Sequence, residues 1–405
     1  MAIIISVKQL GKTLRPNMTK HKFIILGDLH FEKKTTPIVL NAFEQLKSLN
    51  PEFMVSLGDL GGYSHPGTQL SFDEAKDLFS QLNFPVYPLV GNHDLEGLEF
   101  KTDQDNLNAW QNSFHLKSPY YSFQQDDAVF VFLSTTRFRD NPYCCHEVYI
   151  DDEQFSWFES TIKTNHNKRI FVFSHAPILG SGIRVLQNLH LRGGNAWLNH
   201  SQNPGKFIAL VNNAGNIHFW GSGHNHLSQE YPDAISLKNN CLFCHTGVIN
   251  NITRDGRHQS RMIEYDQNEI LIYTIDHDAN STKLVQKYNV KSKKTENYCQ
   301  FQEVTNKQFV APPPYETISF TTNIKNHQFT ITNNMIVEYL KNSQGPIGVL
   351  LDNVTPDTKM IVNGNALEIW EQNQLIHSFL PNSLGTYSTP VGIKIQEHPL
   401  GQQTI

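Results

Sequence analysis

Cysteine is scarce: Cys144, Cys145, Cys241, Cys244 and Cys299 are the five in 405 residues. They are too few and too irregularly spaced for a disulfide framework. A single C-x-x-C, Cys241 to Cys244, lies in the apolar run NNCLFCHTGVI without a second pair, so it reads as a buried strand. Long hydrophobic runs are missing too. No window offers the roughly eighteen consecutive apolar residues that a membrane span needs. The start, MAIIISVKQLGKTLRPN, holds only a very short apolar run with no basic residue before it, too short for a signal-peptide core. The expected location is the cytoplasm, with no membrane partner. Nor is there an excess of positive charge: the formal net charge is −5, which exerts no global pull on nucleic acid. No internal repeat is visible.

What is present is an ordinary globular composition, 39% hydrophobic and 18% charged, at a length comfortable for two domains. KFIILGD (22–28), FMVSLGD (53–59) and VYPLVGN (86–92) read as strands. PIVLNAFEQLKSL (37–49) and FDEAKDLFSQL (72–82) carry apolar residues at helical spacing between them. Strand alternating with helix implies parallel strands and an α/β layered fold. YYSFQQDDAVFVFLST (120–135) reads as a hairpin, DDEQFSWFESTI (151–162) as a helix, and RIFVFSH and IHFWGSGHNH as two more strands. RMIEYDQNEILIYTID (261–276) closes this part as a hairpin turned at Asp266 to Asn268. These elements define an expected domain over 1–280. A Lys-rich stretch ending in Ala-Pro-Pro-Pro suggests a linker over 281–314, since a proline run stiffens a connection and cannot join a central strand. The remainder, 315–405, alternates apolar and polar residues and reads as a small all-β domain, with Asn363-Gly364 as a hairpin turn.

Every apolar strand of the first part ends in polar residues able to bind a metal. Asp28 and His30 follow the first, Asp59 the second, and Asn92, His93 and Asp94 the third. His175 follows RIFVFS, and His224 and His226 follow IHFWGS. Taken singly, a D-x-H, a GD or an H-x-H is a chance fragment or a turn. Carboxyl ends of parallel strands, however, share one sheet edge, where α/β proteins build their sites. Residues far apart in sequence would converge there. Imidazole, carboxylate and amide donors together suit manganese, iron or zinc better than magnesium or calcium.

In order, D-x-H, GD, GNH-[DE], H and GHxH resemble the calcineurin-like metallophosphoesterase superfamily, over about Phe23 to His226. The resemblance implies a four-layer α/β/β/α sandwich with two metal ions at the sheet edge. Asp28, His30 and His226 would hold one ion; Asn92, His175 and His224 would hold the other; Asp59 would bridge them. It further implies that a hydroxide activated by the two metals hydrolyses a phosphate ester. His93 would protonate the leaving group, and Asp94 would fix the tautomer of His93. The small phosphodiesterase branch is the nearer likeness, with a monoesterase or a nuclease as enzymatic alternatives and a binding scaffold as the non-enzymatic one.

One departure stands out. Many relatives carry Asp or His three residues after the GD aspartate, where this chain has Gly62. Tyr63 and His65 follow it, and read as loop residues that could also line a pocket. Arg184, His190 and Arg192 could reach a substrate or simply face solvent. Nothing in the residues chooses a role for the C-terminal domain, or an oligomeric state.

Overall fold

The computed structural model describes residues 20–140, 148–178, 180–183, 205–230, 234–253, 256–298, 317–321, 326–332, 335–340, 348–352, 358–381, 387 and 389–390. Cys144, Cys145, Cys299, Arg184, His190, Arg192, the N-terminal nineteen residues and the stretch 299–314 lie outside them.

Among the described residues the chain runs β1 (His21–Leu26), α1 (Thr36–Ser48), β2 (Phe53–Ser56), α2 (Gln69–Phe79), β3 (Val86–Pro88) and α3 (Asp103–Phe114). It continues β4 (Tyr121–Gln125), β5 (Ala128–Leu133), α4 (Asp152–Thr164), β6 (Arg169–Ser174), α5 (Lys206–Ala214), β7 (Ile217–Ser222), β8 (Ile235–Lys238) and β9 (Cys241–His245). Then come β10 (Gln259–Tyr265), β11 (Glu269–Asp276), β12 (Ser281–Asn289) and β13 (Lys294–Asn297).

Two mixed sheets result, a seven-stranded one ordered β13-β12-β11-β10-β1-β2-β3 and a six-stranded one ordered β4-β5-β6-β7-β9-β8. Alternation along each strand decides which face meets what. From β1, Phe23 and Ile25 point between the sheets, where they join Phe130, Phe132, Phe171, Phe173 and Phe219 of the other sheet. Its alternate residues, Ile24 and Leu26, pack with Val39, Phe43, Phe72 and Trp110 of α1, α2 and α3. On the far side, Val129, Val131, Ile170, Val172 and Trp220 bury against Phe158, Ile162, Phe207 and Val211 of α4 and α5. The layers are therefore α/β/β/α. Strands covered on both faces are apolar throughout, which is why they read so clearly. The C-x-x-C is indeed part of a strand, β9, with both thiols buried and free.

Three things differ from the reading of the sequence. Helix α3 was not anticipated, because its apolar side is narrow: Leu107 and Trp110 are buried amid Asp, Asn and Gln. Helix α5 was not anticipated either. Residues 281–297, expected to begin a linker, instead form β12 and β13 at the sheet's edge. Val285 and Tyr288 drop into the inter-sheet core, while the lysines that suggested a linker lie on β12, in the turn after it and at the start of the edge strand β13.

The C-terminal strands are β14 (Thr317–Thr321), β15 (Asn326–Thr332), β16 (Met335–Leu340), β17 (Gly348–Asp352), β18 (Lys359–Asn363), β19 (Ala366–Glu371), β20 (Gln374–Phe379) and β21 (Thr389–Pro390). They form an antiparallel five-stranded sheet, β14-β15-β16-β17-β21, and a three-stranded meander, β18-β19-β20. The expected hairpin is present, but its turn is one residue further on: Asn363 pairs with Ala366, so Gly364, at φ +60°, and Asn365 make it. No helix among the described residues is long and apolar enough to cross a membrane.

Candidate metal centre

The loops that leave β1, β2, β3, β6 and β7 meet at one edge of the sandwich. They interlock through the backbone: the N–H groups of Leu29 and His30 both donate to the Asp59 carbonyl, at 3.1 and 2.8 Å. The approach leaves no room for side chains at two glycines. A Cβ on Gly58, whose φ is +90°, would lie 2.3 Å from the Gly91 nitrogen, and one on Gly91 would lie 2.1 Å from Asp59 Oδ1. His30, Asp59, His224 and His226 are themselves left-handed, with φ between +37° and +67°. Such backbone is uncommon outside glycine and persists where surrounding contacts over-determine it.

Each of the two central carboxylates is anchored by one oxygen and presents the other. Asp28 Oδ1 accepts the His224 N–H at 2.8 Å, while Oδ2 lies 2.8 Å from His226 Nε2 and 3.8 Å from His175 Nε2. Asp59 Oδ1 accepts the His93 N–H at 2.9 Å, while Oδ2 lies 3.2 Å from His175 Nε2 and 3.5 Å from His30 Nε2. The histidines are aimed by their other nitrogens. His175 Nδ1 lies 2.7 Å from the Leu57 carbonyl and His30 Nδ1 3.2 Å from that of Gly61, so each turns Nε2 inward.

Two donor groups follow, each with ligand atoms within 4.8 Å of one another: Asp28, His30, Asp59 and His226, and Asp28, Asp59, His175 and His224. Both carboxylates belong to both groups, whereas the resemblance made Asp59 alone the bridge. Asn92 is 2% exposed. Both atoms of its amide, with His30 Nε2 and Asp59 Oδ2, lack a hydrogen-bond partner among the described residues. Buried donors and acceptors are nearly always paired, so these orphans fit residues awaiting a further ligand.

The charges agree. Burial works against ionisation of Asp28, but His175 and His226 overcome it and hold the carboxyl below its usual range. Asp59 is likewise pulled well down, burial being outweighed by His175 and His93. Burial would depress His175, but Asp59 and Asp28 raise it to about 10. Two buried anions thus demand positive charge between them, which a pair of metal cations would supply in place of a proton.

Asp94 does something other than expected. Its Oδ2 accepts the N–H groups of Asp59 and Gly91, and its Oδ1 that of Leu60, all at 2.8 Å. Burial, then the charge of Asp59, push this carboxyl up to about 6 against those backbone donors. It is Glu96 whose Oε1 lies 2.9 Å from His93 Nδ1. His93 to Leu95 form a single 3₁₀ turn, which brings residues three apart to one side and sends the middle one inward. Adjacency in sequence puts Asp94 in this place; the turn's i, i+3 spacing brings the Glu96 carboxylate there instead.

Asn250 was missed entirely. Buried at 1% exposure, its amide donates to the Leu29 and His30 carbonyls, at 3.1 and 3.0 Å, and so clamps the loop bearing Asp28 and His30. Nothing local in the sequence marks it. The space over Gly62 is filled by Glu32, whose Cγ would lie 2.1 Å from a Cβ there. His65 is tied into its loop by Ser64 Oγ at 2.7 Å and Glu74 Oε2 at 3.0 Å.

The model of the calcineurin-like phosphoesterase family matches residues 21–228, just over half of the chain. The chain belongs to this family. A solved dimetal phosphatase from Danio rerio is 12% identical over 64% of this chain and 96% of its own, with a TM-score of 0.49. A purple acid phosphatase from yellow lupin (Lupinus luteus) seeds is 12% identical over 67% of this calcineurin-like chain and 54% of its own, at 0.47. The anchor in the inner membrane complex of Plasmodium is 15% identical over 65% and 88%, at 0.44. No curated protein matches.

Proposed function

We propose that this calcineurin-like phosphoesterase is a metal-dependent phosphodiesterase acting on a small-molecule or nucleotide diester. The observation that carries the reading is the doubled donor group, with its inward-facing unpartnered atoms, set beside His93. Asp28, His30, Asp59 and His226 would hold one ion, and Asp59, Asn92, His175 and His224 the other; the donor chemistry favours manganese, iron or zinc. Ions bound there supply Lewis acidity, which makes water nucleophilic near neutral pH and offsets charge on phosphate oxygens.

The protein's own residues do the rest. The His93 ring centroid is 5.2 Å from that of His30, at the edge of the donor groups. Glu96 beside Nδ1 would support His93 protonated at both nitrogens, so that Nε2 could give its proton to the departing oxygen and leave a neutral ring with its proton on Nδ1. An alkoxide expelled from a phosphate ester needs such a donor, whether the ester is a diester or a monoester. Asp94 holds three backbone N–H groups, and with them the relation between the Asp59 and Asn92 loops. Buried free Cys241 and Cys244 accord with work in a reducing compartment, the cytoplasm. The β-strands from Thr317 onward are taken as a separate unit of unassigned role.

The test is hydrolysis of bis-p-nitrophenyl phosphate and of p-nitrophenyl phosphate by purified protein with Mn²⁺, before and after chelation. Diester turnover that disappears with the metal and returns on its addition is expected. Turnover of the monoester alone would overturn the diesterase reading. No turnover of either, with metal bound, would favour a binding scaffold.

A further inference from the structure

Tyr63, in a loop that the residue pattern could not assign, stands at the mouth of the metal centre. Its ring stacks on His30, with centroids 4.6 Å apart and planes 29° from parallel. It meets His93 edge to face at 5.4 Å and 87°. The residue is nonetheless 44% exposed. One face of the ring is therefore occupied by a histidine of the donor group, and exposed ring surface remains beside the residue placed nearest the leaving group. A tyrosine at an ordinary loop tip would have no reason to give up rotamer freedom against two imidazoles. A tyrosine fixed in that way is already ordered, and costs little further entropy when a second ring is laid on it.

We propose that Tyr63 is a stacking platform for the substrate's leaving group, so that the natural substrate is a diester whose leaving alcohol carries a flat aromatic ring, as an aryl or nucleoside alcohol does. This deepens the diesterase reading and rests on it, because it takes the His93 side of the centre as the leaving-group side. Tyr63 here determines specificity; it exchanges no proton. Aromatic rings accept any flat partner, so the platform selects for planarity and not for a hydrogen-bonding pattern.

The experiment uses methyl benzyl phosphate and methyl cyclohexylmethyl phosphate, whose larger alcohols match in size and differ in flatness. Release of each alcohol is followed for wild type, Tyr63→Ala and Tyr63→Phe, with bound metal measured in all three. Stacking of one ring predicts that Tyr63→Ala lowers kcat/KM for benzyl release about tenfold and cyclohexylmethyl release less than about threefold. Tyr63→Phe restores the benzyl preference, and metal content is the same throughout. Equal losses on both substrates, loss of metal in Tyr63→Ala, or a Tyr63→Phe as impaired as the alanine variant would each overturn the proposal. Wild-type turnover of bis-p-nitrophenyl phosphate in the same preparation reports on the diesterase reading by itself. If that fails, the parent reading is wrong and this inference falls with it; if it succeeds while the benzyl preference is absent, only the platform is wrong.

Discussion

Two regions of this protein bury histidine against carboxylate, and they do so in opposite ways. In the C-terminal strands, His327 of β15 and Glu338 of β16 are both fully buried, with Nδ1 and Oε1 2.6 Å apart. Both oxygens of Glu338 also take the Tyr387 N–H, at 3.2 and 3.0 Å, and the Tyr387 ring closes over His327 edge to face at 5.1 Å. His327 and Glu338 lie on neighbouring strands and hold one another through this contact. At the edge of the α/β sandwich, Asp28, Asp59, His30 and His175 are as deeply buried, yet their inward atoms include orphans and half their backbone is left-handed. Burial of charge alone therefore does not mark a site. Burial left unsatisfied, on strained backbone that the rest of the fold must hold in place, does.

The comparison can be broken most decisively at Asp59. Asp59→Asn keeps an oxygen for the His93 N–H and removes one of the two charges common to both donor groups. Activity is expected to fall at least about thousandfold, equivalent to about 4 kcal/mol at 1.36 kcal/mol per decade. In chelator, stability from urea denaturation should stay within about 1 kcal/mol of wild type, because functional residues are rarely optimised for stability. A large loss of stability would make Asp59 a structural residue like Glu338.

Glu338→Ala is the mirror experiment. Leaving His327 buried without its partner should cost about 3–5 kcal/mol in urea denaturation. Hydrolysis at saturating metal, measured where the protein is still folded, should stay within about twofold, since residues that share no contacts or network act on stability and activity nearly independently. Activity that falls in step with stability would show that the two regions work as one.

The same contrast explains what the sequence disclosed. Strand ends were legible because strands covered on both faces are unbroken apolar runs, and whatever polar residues follow them stand out. Asp28, Asp59, His175, His224 and His226 converge as those runs required. Features that depend on partners distant in the chain were not legible. Asn250 acts on carbonyls 220 and 221 residues away. Asp94 neighbours His93 in sequence, but within the 3₁₀ turn its carboxylate faces the backbone N–H groups of Asp59, Leu60 and Gly91. Helix α3 hid behind polar residues, with Thr102 accepting the Asp105 N–H as its cap. Strand β12, second from the edge, hid because its few buried apolar residues, Val285 and Tyr288, are separated by polar ones.

Glu96 supplies the finest division between a residue that holds structure and one that serves the reaction. It sits on the same short turn as Asp94, but its carboxylate faces His93 where that of Asp94 faces backbone. If the Glu96 carboxylate supports His93 in its doubly protonated form, its loss should matter only when the leaving group needs a proton. Glu96→Gln should lower turnover of an alkyl diester about tenfold, in line with the smaller contributions from general acid catalysis. Turnover of bis-p-nitrophenyl phosphate should change less than about twofold, because p-nitrophenolate departs without protonation. The ratio of the two rates is the informative quantity. A turn merely loosened by the substitution would slow both esters alike, whereas a proton donor left misdirected slows one.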